Sequence, residues 1–498
     1  MSRRAVGLAA AASLAVTGAV LAVPSAARPT AKVERSLLGA AGELHAFVQF
    51  ARPVTANDVA ALNALGITKL HAFKRVNAVA VVAPSALLQK AAGLAGVTAV
   101  VRDNGLDLHL DKSKKALNVP KARGPKNKGG LALTGKGVTV AVIDSGLDTS
   151  HPDFAGRVKG TFNFEGGWAF DAYQDGSVTN EVAEGMGPYA AVDEIGHGTH
   201  VASTIAGSGA AAKQPGLSGA DYSGVAPDAK LVGFKVASLV QGVQYDFGWE
   251  ANAMAAIEYL MEHNKALGVS IVHNSWGIFE VTDPDSEPII QMIRAAVGSG
   301  LIFVFSAGNS GPGKNTVGWP GAMGNVITVG STIKTGAFGM SSFSSRGPQV
   351  DVTAPGSDIV AARSKGAVID LGNDATPATD MPFYMAISGT SMSSPHVSGV
   401  VALMKQAYPR LTGEVAEEIL ARTSRDLGAR GKDDDYGWGF VDAYKAGQVA
   451  ACLAKASSAK REGCFNAVRA LPKSKYRSDW RTKGDEAPTA NQTRPLPV

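Results

Sequence analysis

Residues 138–148 read VTVAVIDSGLD, an almost unbroken apolar run that ends in the carboxylate of Asp144 and meets a glycine two residues later. A strand with one wet face alternates apolar and polar side chains, whereas a continuous run belongs to a strand covered on both faces, the mark of a parallel sheet between helices. Four further runs, Lys230–Val236, Ser270–His273, Leu301–Phe305 and Val326–Gly330, repeat the pattern with helical stretches between them. The large unit is therefore expected to be α/β, with a mostly parallel sheet flanked by helices. Ligands of such sheets bind beyond the carboxyl ends of the strands. Asp144 stands at one of those ends, although a lone aspartate before a glycine reads most simply as a turn residue.

Upstream, residues 111–136 are polar and rich in Lys and Gly, with KARGPKNKGG (121–130) the most loop-like stretch, and a domain junction is expected here. Before it, Leu44–Phe50 reads as a strand, and Thr55 precedes a helix bearing Val59, Leu62 and Leu65 and stopped by Gly66. Ile67–Phe73 and Val76–Val82 read as two strands, Pro84 opens a second helix, and Val97–Val101 is a fourth strand. The order β-α-β-β-α-β is that of a small α+β ferredoxin-like domain, which by itself assigns no function. Residues 1–27, with Arg3 and Arg4 ahead of an Ala/Leu/Val run and Ser25-Ala26-Ala27 at its end, read as a cleaved export signal. A secreted protein without a permanent membrane anchor is the expectation. Ser2-Arg3-Arg4 also resembles a twin-arginine signal.

The 498 residues are 45% apolar and 18% charged, which excludes wholesale disorder and predicts two or three units. The net charge of +5 is a property of the end of the chain: residues 450–498 hold ten Lys and Arg against four Asp and Glu, which leaves −1 for the rest. The body is neutral, so nucleic acid is not expected as a partner. The same tail holds both cysteines, Cys452 and Cys464, at a spacing that suits one local disulfide in a secreted chain or two free thiols. Asn491-Gln492-Thr493 forms a glycosylation sequon. The 58 glycines, about 12% of the chain against a usual ~7%, point to tight turns and close backbone approaches.

Two further motifs stand where Asp144 needs partners. In GHGTHVA (196–202) His197 is flanked by glycines at the start of a helix, and is a candidate base. His200, three residues on, is expected to be buried and hydrogen-bonded, since the zincin pattern needs a His pair four apart with Glu between. In ISGTSMSSPH (387–396) Ser391 opens a helix whose apolar side runs through Val397, Val400, Val401 and Met404. Free N–H groups at a helix start favour oxygen and anions there. Read singly, this is a Ser-rich helix cap.

Together the three supply an acid, a base and a nucleophile in the order Asp, His, Ser. The chain resembles the subtilisin-like serine proteases over about residues 112–446, through VAVIDSGLDTSHPDF (140–154), GHGTHVAS (196–203), FSAGNSG (305–311), FSSRGP (343–348), VTAPGSDIVA (352–361), SGTSMSSPHVSG (388–399) and YGWGFVDAYKA (436–446). The triad order is that of the family. The resemblance implies a serine endopeptidase in which Asp144, His197 and Ser391 are catalytic and Asn309 is the side-chain donor of the oxyanion hole. It makes Ser275, Trp276 and Gly277 a segment whose backbone pairs with extended substrate, and Gly308 and Gly318 parts of the pocket for the residue before the cut bond. Ser306–Ser310 and Val317–Pro320 contain no Asp or Glu, so a broad or apolar preference is expected.

The resemblance further implies a layout of signal (1–27), propeptide (28–112), catalytic domain (113–449) and basic extension (450–498). The propeptide is ferredoxin-like and acts as folding aid and intramolecular inhibitor. A monomer acting on protein or peptide substrates is expected. No cofactor is implied for the chemistry. Structural calcium is frequent in the family, its ligands here unassigned; Asp433-Asp434-Asp435 is an oxygen cluster or a solvated turn. Two alternatives have other chemistry: a catalytically inactive peptide-binding relative, and an esterase, whose usual Gly-x-Ser-x-Gly is broken by Ser393. The long segment 162–191 carries Trp168, Phe170, Tyr173 and Tyr189, loop anchors or an extension of the cleft.

Overall fold

The computed structural model describes residues 32–73, 75–103, 114–164, 192–212, 222–240, 244–246, 250–278, 281–334, 336–365, 376–377, 383–473 and 476. The expected export signal, the 112/113 boundary, the four aromatic residues of segment 162–191 and the sequon lie outside them.

The N-terminal unit is a five-stranded sheet with two helices. Its strands are β1 (Lys32–Val33), β2 (Glu43–Phe50), β3 (Thr68–Ala72), β4 (Ala78–Pro84) and β5 (Val97–Arg102), and its helices are α1 (Ala56–Ala64) and α2 (Ser85–Ala91). Sheet order is β1-β5-β2-β4-β3, so the four longer strands have the antiparallel order of a ferredoxin-like fold. Side chains of β2 alternate between two cores: Ala46 and Val48 face the unit's own core under the helices, whereas Phe47 faces the other way, onto the larger unit.

The larger unit is built on seven parallel strands: β6 (Thr139–Asp144), β7 (Val158–Asn163), β8 (Lys230–Lys235), β9 (Val269–Asn274), β10 (Ile302–Ser306), β11 (Ile327–Thr332) and β12 (Val352–Pro355). Their order is β12-β11-β10-β9-β6-β8-β7, every pair parallel. Helices α4 (Glu250–Leu267) and α5 (Pro288–Gly298) pack on one face. Helices α3 (His197–Ala206), α6 (Thr390–Ala407), α7 (Gly413–Thr423) and α8 (Ala443–Leu453) form the layer on the other. Val140 and Val142 enter the α3/α6 core while Ala141 and Ile143 enter the α4/α5 core. Two opposite apolar demands on one strand produce the unbroken run that opened the sequence reading.

The two units share a hydrophobic cluster in which Phe47, Phe73, Val76 and Val101 meet Ala251, Met254 and Ile290. Polar contacts cross the same seam. His71 Nε2 lies 3.2 Å from Glu258 Oε2, the Arg75 N–H donates to Glu258 Oε1 at 3.1 Å, and the Ala251 N–H donates to Asp103 Oδ1 at 3.3 Å.

The boundary expected after residue 449 moves, because α8 runs through it: Val449, Ala450 and Leu453 continue the core of the larger unit. Helix α9 (Arg461–Asn466) then folds back. The Arg422 guanidinium lies over the buried Phe465 ring, 3.6 Å from its centre, and Cys452 and Cys464 are joined in a disulfide with a Cα separation of 5.6 Å. Basic residues draw the eye to this segment, but its apolar positions decide its place. No helix among the described residues is long and apolar enough to cross a membrane.

Candidate active site

Three elements end at one edge of the sheet. Asp144 is the last residue of β6, His197 the first of α3, and Ser391 the second of α6. His197 Nδ1 lies 2.6 Å from Asp144 Oδ1, and both side chains are about 1% exposed or less. Asp144 Oδ1 also accepts from the Ser145 N–H at 2.8 Å, which fixes the carboxylate on its own turn. Close approach of the two segments requires glycine: a Cβ on Gly198 would sit 2.1 Å from the Gly146 carbonyl oxygen.

The start of α3 is held by a residue that the sequence reading missed. Asp193 accepts from the Gly196 and Thr199 N–H groups at 2.6 and 2.7 Å and from the Ser145 hydroxyl at 2.8 Å. Ser145 in turn accepts from the Gly198 N–H at 2.9 Å. The turn after Asp144 and the helix of His197 are thus clamped to one carboxylate. Burial pushes the Asp193 carboxyl up, and the Thr199 hydroxyl, the Thr199 and Gly196 N–H groups and the charge of the buried Lys235 oppose it. An aspartate a few residues ahead of a helix start is a capping signal that the sequence does carry.

Ser391 lies in the first turn of α6, where main-chain N–H groups have no intrahelical partner. Its hydroxyl donates to the Ser275 carbonyl at 2.9 Å. Asn309 follows β10 and its Oδ1 accepts from the Thr390 N–H at 3.0 Å and the Thr390 hydroxyl at 2.7 Å. With its oxygen committed there, the amide's NH₂ end is the one left to donate. Thr390 Oγ1 also accepts from the Gly308 N–H at 3.1 Å, and Gly308 has φ +99°, a left-handed conformation that favours glycine. Gly318 donates its N–H to the Ala307 carbonyl at 3.1 Å, so Gly308 and Gly318 flank the same strand end.

Trp276 belongs to the segment expected to pair with substrate through its backbone. Its side chain is core, with Nε1 donating to the Ile143 carbonyl at 3.0 Å and the ring edge-on to Phe305, so only its backbone is left to face a substrate. Gly277 lies against Trp319, whose carbonyl a Cβ would meet at 3.1 Å. His200 is buried with Nε2 3.2 Å from the Ile359 carbonyl, and desolvation, then the neighbouring His197, lowers its pKa to about 3. In the Asp433–Asp435 turn, Asp433 Oδ1 accepts from the Asp435 and Tyr436 N–H groups. Among the described residues no group of three or more His, Cys, Asp or Glu is arranged to hold a metal ion.

A doubly covered parallel sheet with an Asp-His pair and a serine at a helix start defines the α/β class of serine hydrolases. The sequence model of the subtilase family, peptidase class S8, matches residues 135–439. The chain belongs to the subtilase family of serine endopeptidases. It is 32% identical to the serine protease AprX of Bacillus subtilis (strain 168) over 391 residues, 74% of this chain and 79% of that one. To a subtilisin of Bacillus pumilus it is 31% identical over 322 residues, 63% of this chain and 92% of that one. Its fold resembles that of fervidolysin, a keratinolytic enzyme of Fervidobacterium pennivorans related to subtilisin. The TM-score is 0.63 at 23% identity, over 84% of this chain and 63% of that structure.

Proposed function

We propose that the protein is a secreted endopeptidase made as a self-processed zymogen, with Ser391 as nucleophile, His197 as general base and Asp144 as its partner. The 2.6 Å contact between Asp144 and His197 Nδ1 carries the reading: it leaves Nε2 of the ring as the nitrogen that takes a proton. Ser391 Oγ attacks the peptide carbonyl as His197 removes its proton, and Asp144 stabilises the imidazolium without being protonated. The oxyanion is met by the NH₂ end of Asn309 and the Ser391 N–H. His197 then protonates the leaving amine, and water hydrolyses the acyl-enzyme by the same steps.

Uncharged walls around Gly308 and Gly318 favour a broad or apolar preference for the residue before the cut bond. A peptide-library profile checks this, and near-exclusive cleavage after Lys or Arg would contradict it. The N-terminal unit acts as the propeptide, docked on α4 and α5 until it is cut off. The test of the whole reading is incubation with a fluorophosphonate probe and with casein, beside Ser391→Ala. Labelling and caseinolysis that both vanish in the variant support it. Labelling without caseinolysis would make the protein an esterase, and no labelling a peptide-binding relative.

A further inference from the structure

His273 is the one titratable side chain in β9, at a position that the apolar pattern reserves for core, and it is fully buried. Its ring bridges β9 to α6. Nδ1 lies 2.9 Å from the Ser398 hydroxyl and Nε2 lies 2.7 Å from the Ser275 hydroxyl. Ser275 Oγ donates to the main-chain carbonyl of Ser391 at 2.8 Å and lies 3.0 Å from Ser394 Oγ. That carbonyl lacks its main-chain donor, and the Ser394 hydroxyl of its own helix reaches it only at 3.4 Å, so Ser275 makes the shorter bond. In a helix it would accept from the N–H of residue 395, and residue 395 is a proline inside α6.

The direction of the chain of bonds follows. A carbonyl only accepts, so the single Ser275 proton goes to Ser391. The imidazole nitrogen facing Ser275 must then donate, and Nδ1 accepts from Ser398. Burial, opposed by the charge of Asp144 and joined by that of His197, holds the ring's pKa down at about 3, so it stays a neutral donor-acceptor through the working pH range.

We propose that His273 is a positioning residue of the active site: through the Ser275 hydroxyl it holds the Ser391 carbonyl that Pro395 deprives of a helical partner, and so sets the first turn of the nucleophile's helix. The proposal rests on Ser391 being the nucleophile. Geometry is what it changes, so it acts on turnover more than on substrate binding. Displacement of a reacting group by a fraction of an ångström to 1 Å costs about 10- to 100-fold.

The test compares wild type, His273→Leu, His273→Gln, Ser275→Ala and His273→Leu/Ser275→Ala on a peptide anilide, with rates divided by the fluorophosphonate-titrated sites. His273→Leu should lower kcat about tenfold or more with KM within about twofold. The double variant should match Ser275→Ala alone. Gln, whose amide reaches Ser275, should recover most of the rate. Should the Leu variant not accumulate folded, His273→Asn replaces it in both the single and the double variant: its shorter amide still reaches Ser398 but not Ser275, and the same tenfold fall is expected. Unchanged kcat in His273→Leu or His273→Asn, or independent multiplicative losses in the double variant, would overturn the proposal. Absence of titratable sites in the wild type would instead overturn the assignment of Ser391.

Discussion

Two aspartates serve the starts of two helices, and they are built differently. Asp193 belongs to the same unit as α3 and takes three hydrogen bonds of 2.6 to 2.8 Å, with Lys235 close enough to stabilise its charge. Asp103 belongs to the N-terminal unit and serves α4 across the seam, through a longer 3.3 Å bond from the Ala251 N–H and a further main-chain bond from Glu250. Burial raises the Asp103 carboxyl well above its ordinary range, and the nearby Glu287 adds to the effect. Glu287 itself is pushed up to about 8, first by burial and then by Glu34 and Asp283. One device is satisfied in place. The other holds the start of α4 only while the units are docked, among buried acids that separation would let ionise, which suits the removal proposed for the N-terminal unit.

The side that stays should show the largest effects on turnover. Asn309→Ala removes the amide fixed by Thr390 and should lower kcat about 10²- to 10³-fold with little change in KM, the magnitude known for this donor in a subtilisin. Steady-state kinetics on a peptide anilide checks it. Asp193→Ala leaves the Gly196 and Thr199 N–H groups buried and unpaired, at about 1–3 kcal/mol each. It should lower the thermal midpoint of the mature enzyme and reduce kcat about tenfold to a hundredfold by loosening His197. If Asp193→Ala were silent in both readouts, the contrast between the two aspartates would fail from its stronger side.

Asp103→Ala should act on the other side only. Rate per titrated site in the mature enzyme is expected to equal that of wild type, while docking of the N-terminal unit weakens, read as faster proteolytic removal of that unit from a Ser391→Ala chain by an added protease. The smallest effect is on pH. Between about 4.5, the ordinary glutamate value, and about 8, docked Glu287 keeps a proton that the exposed side chain releases. Stability linked to it is full below that window and lost as pH rises through 8. The thermal midpoint of the Ser391→Ala chain should therefore fall from pH 5 to 8, and Glu287→Gln should flatten the slope. An unchanged slope would remove Glu287 from the account.

The central strands were legible because burial on both faces writes an unbroken apolar run, and β6, β8, β9, β10 and β11 fall within about two residues of the runs read as strands. The edge strands were not. VKGTFN of β7 buries a single side chain, and VTAP of β12 is four residues ending in proline. At the site, Asp144, His197, Asn309 and Ser391 each carry a local signature, a strand end or helix start beside glycine. His273 and Asp193 carry their meaning in partners 125 and 48 positions away, Ser398 and Ser145, which no local pattern displays. Pro395 stood in a quoted motif, yet its effect on the Ser391 carbonyl is visible only once Ser275 is seen to fill the gap.

The central claim is that Ser391 cuts the chain between the two units and then remains as the enzyme's nucleophile. Intact mass of purified wild type and Ser391→Ala, refolded without added protease, tests it most directly. The account predicts that wild type loses the N-terminal unit and the variant keeps it. A variant that sheds the unit as wild type does would contradict it.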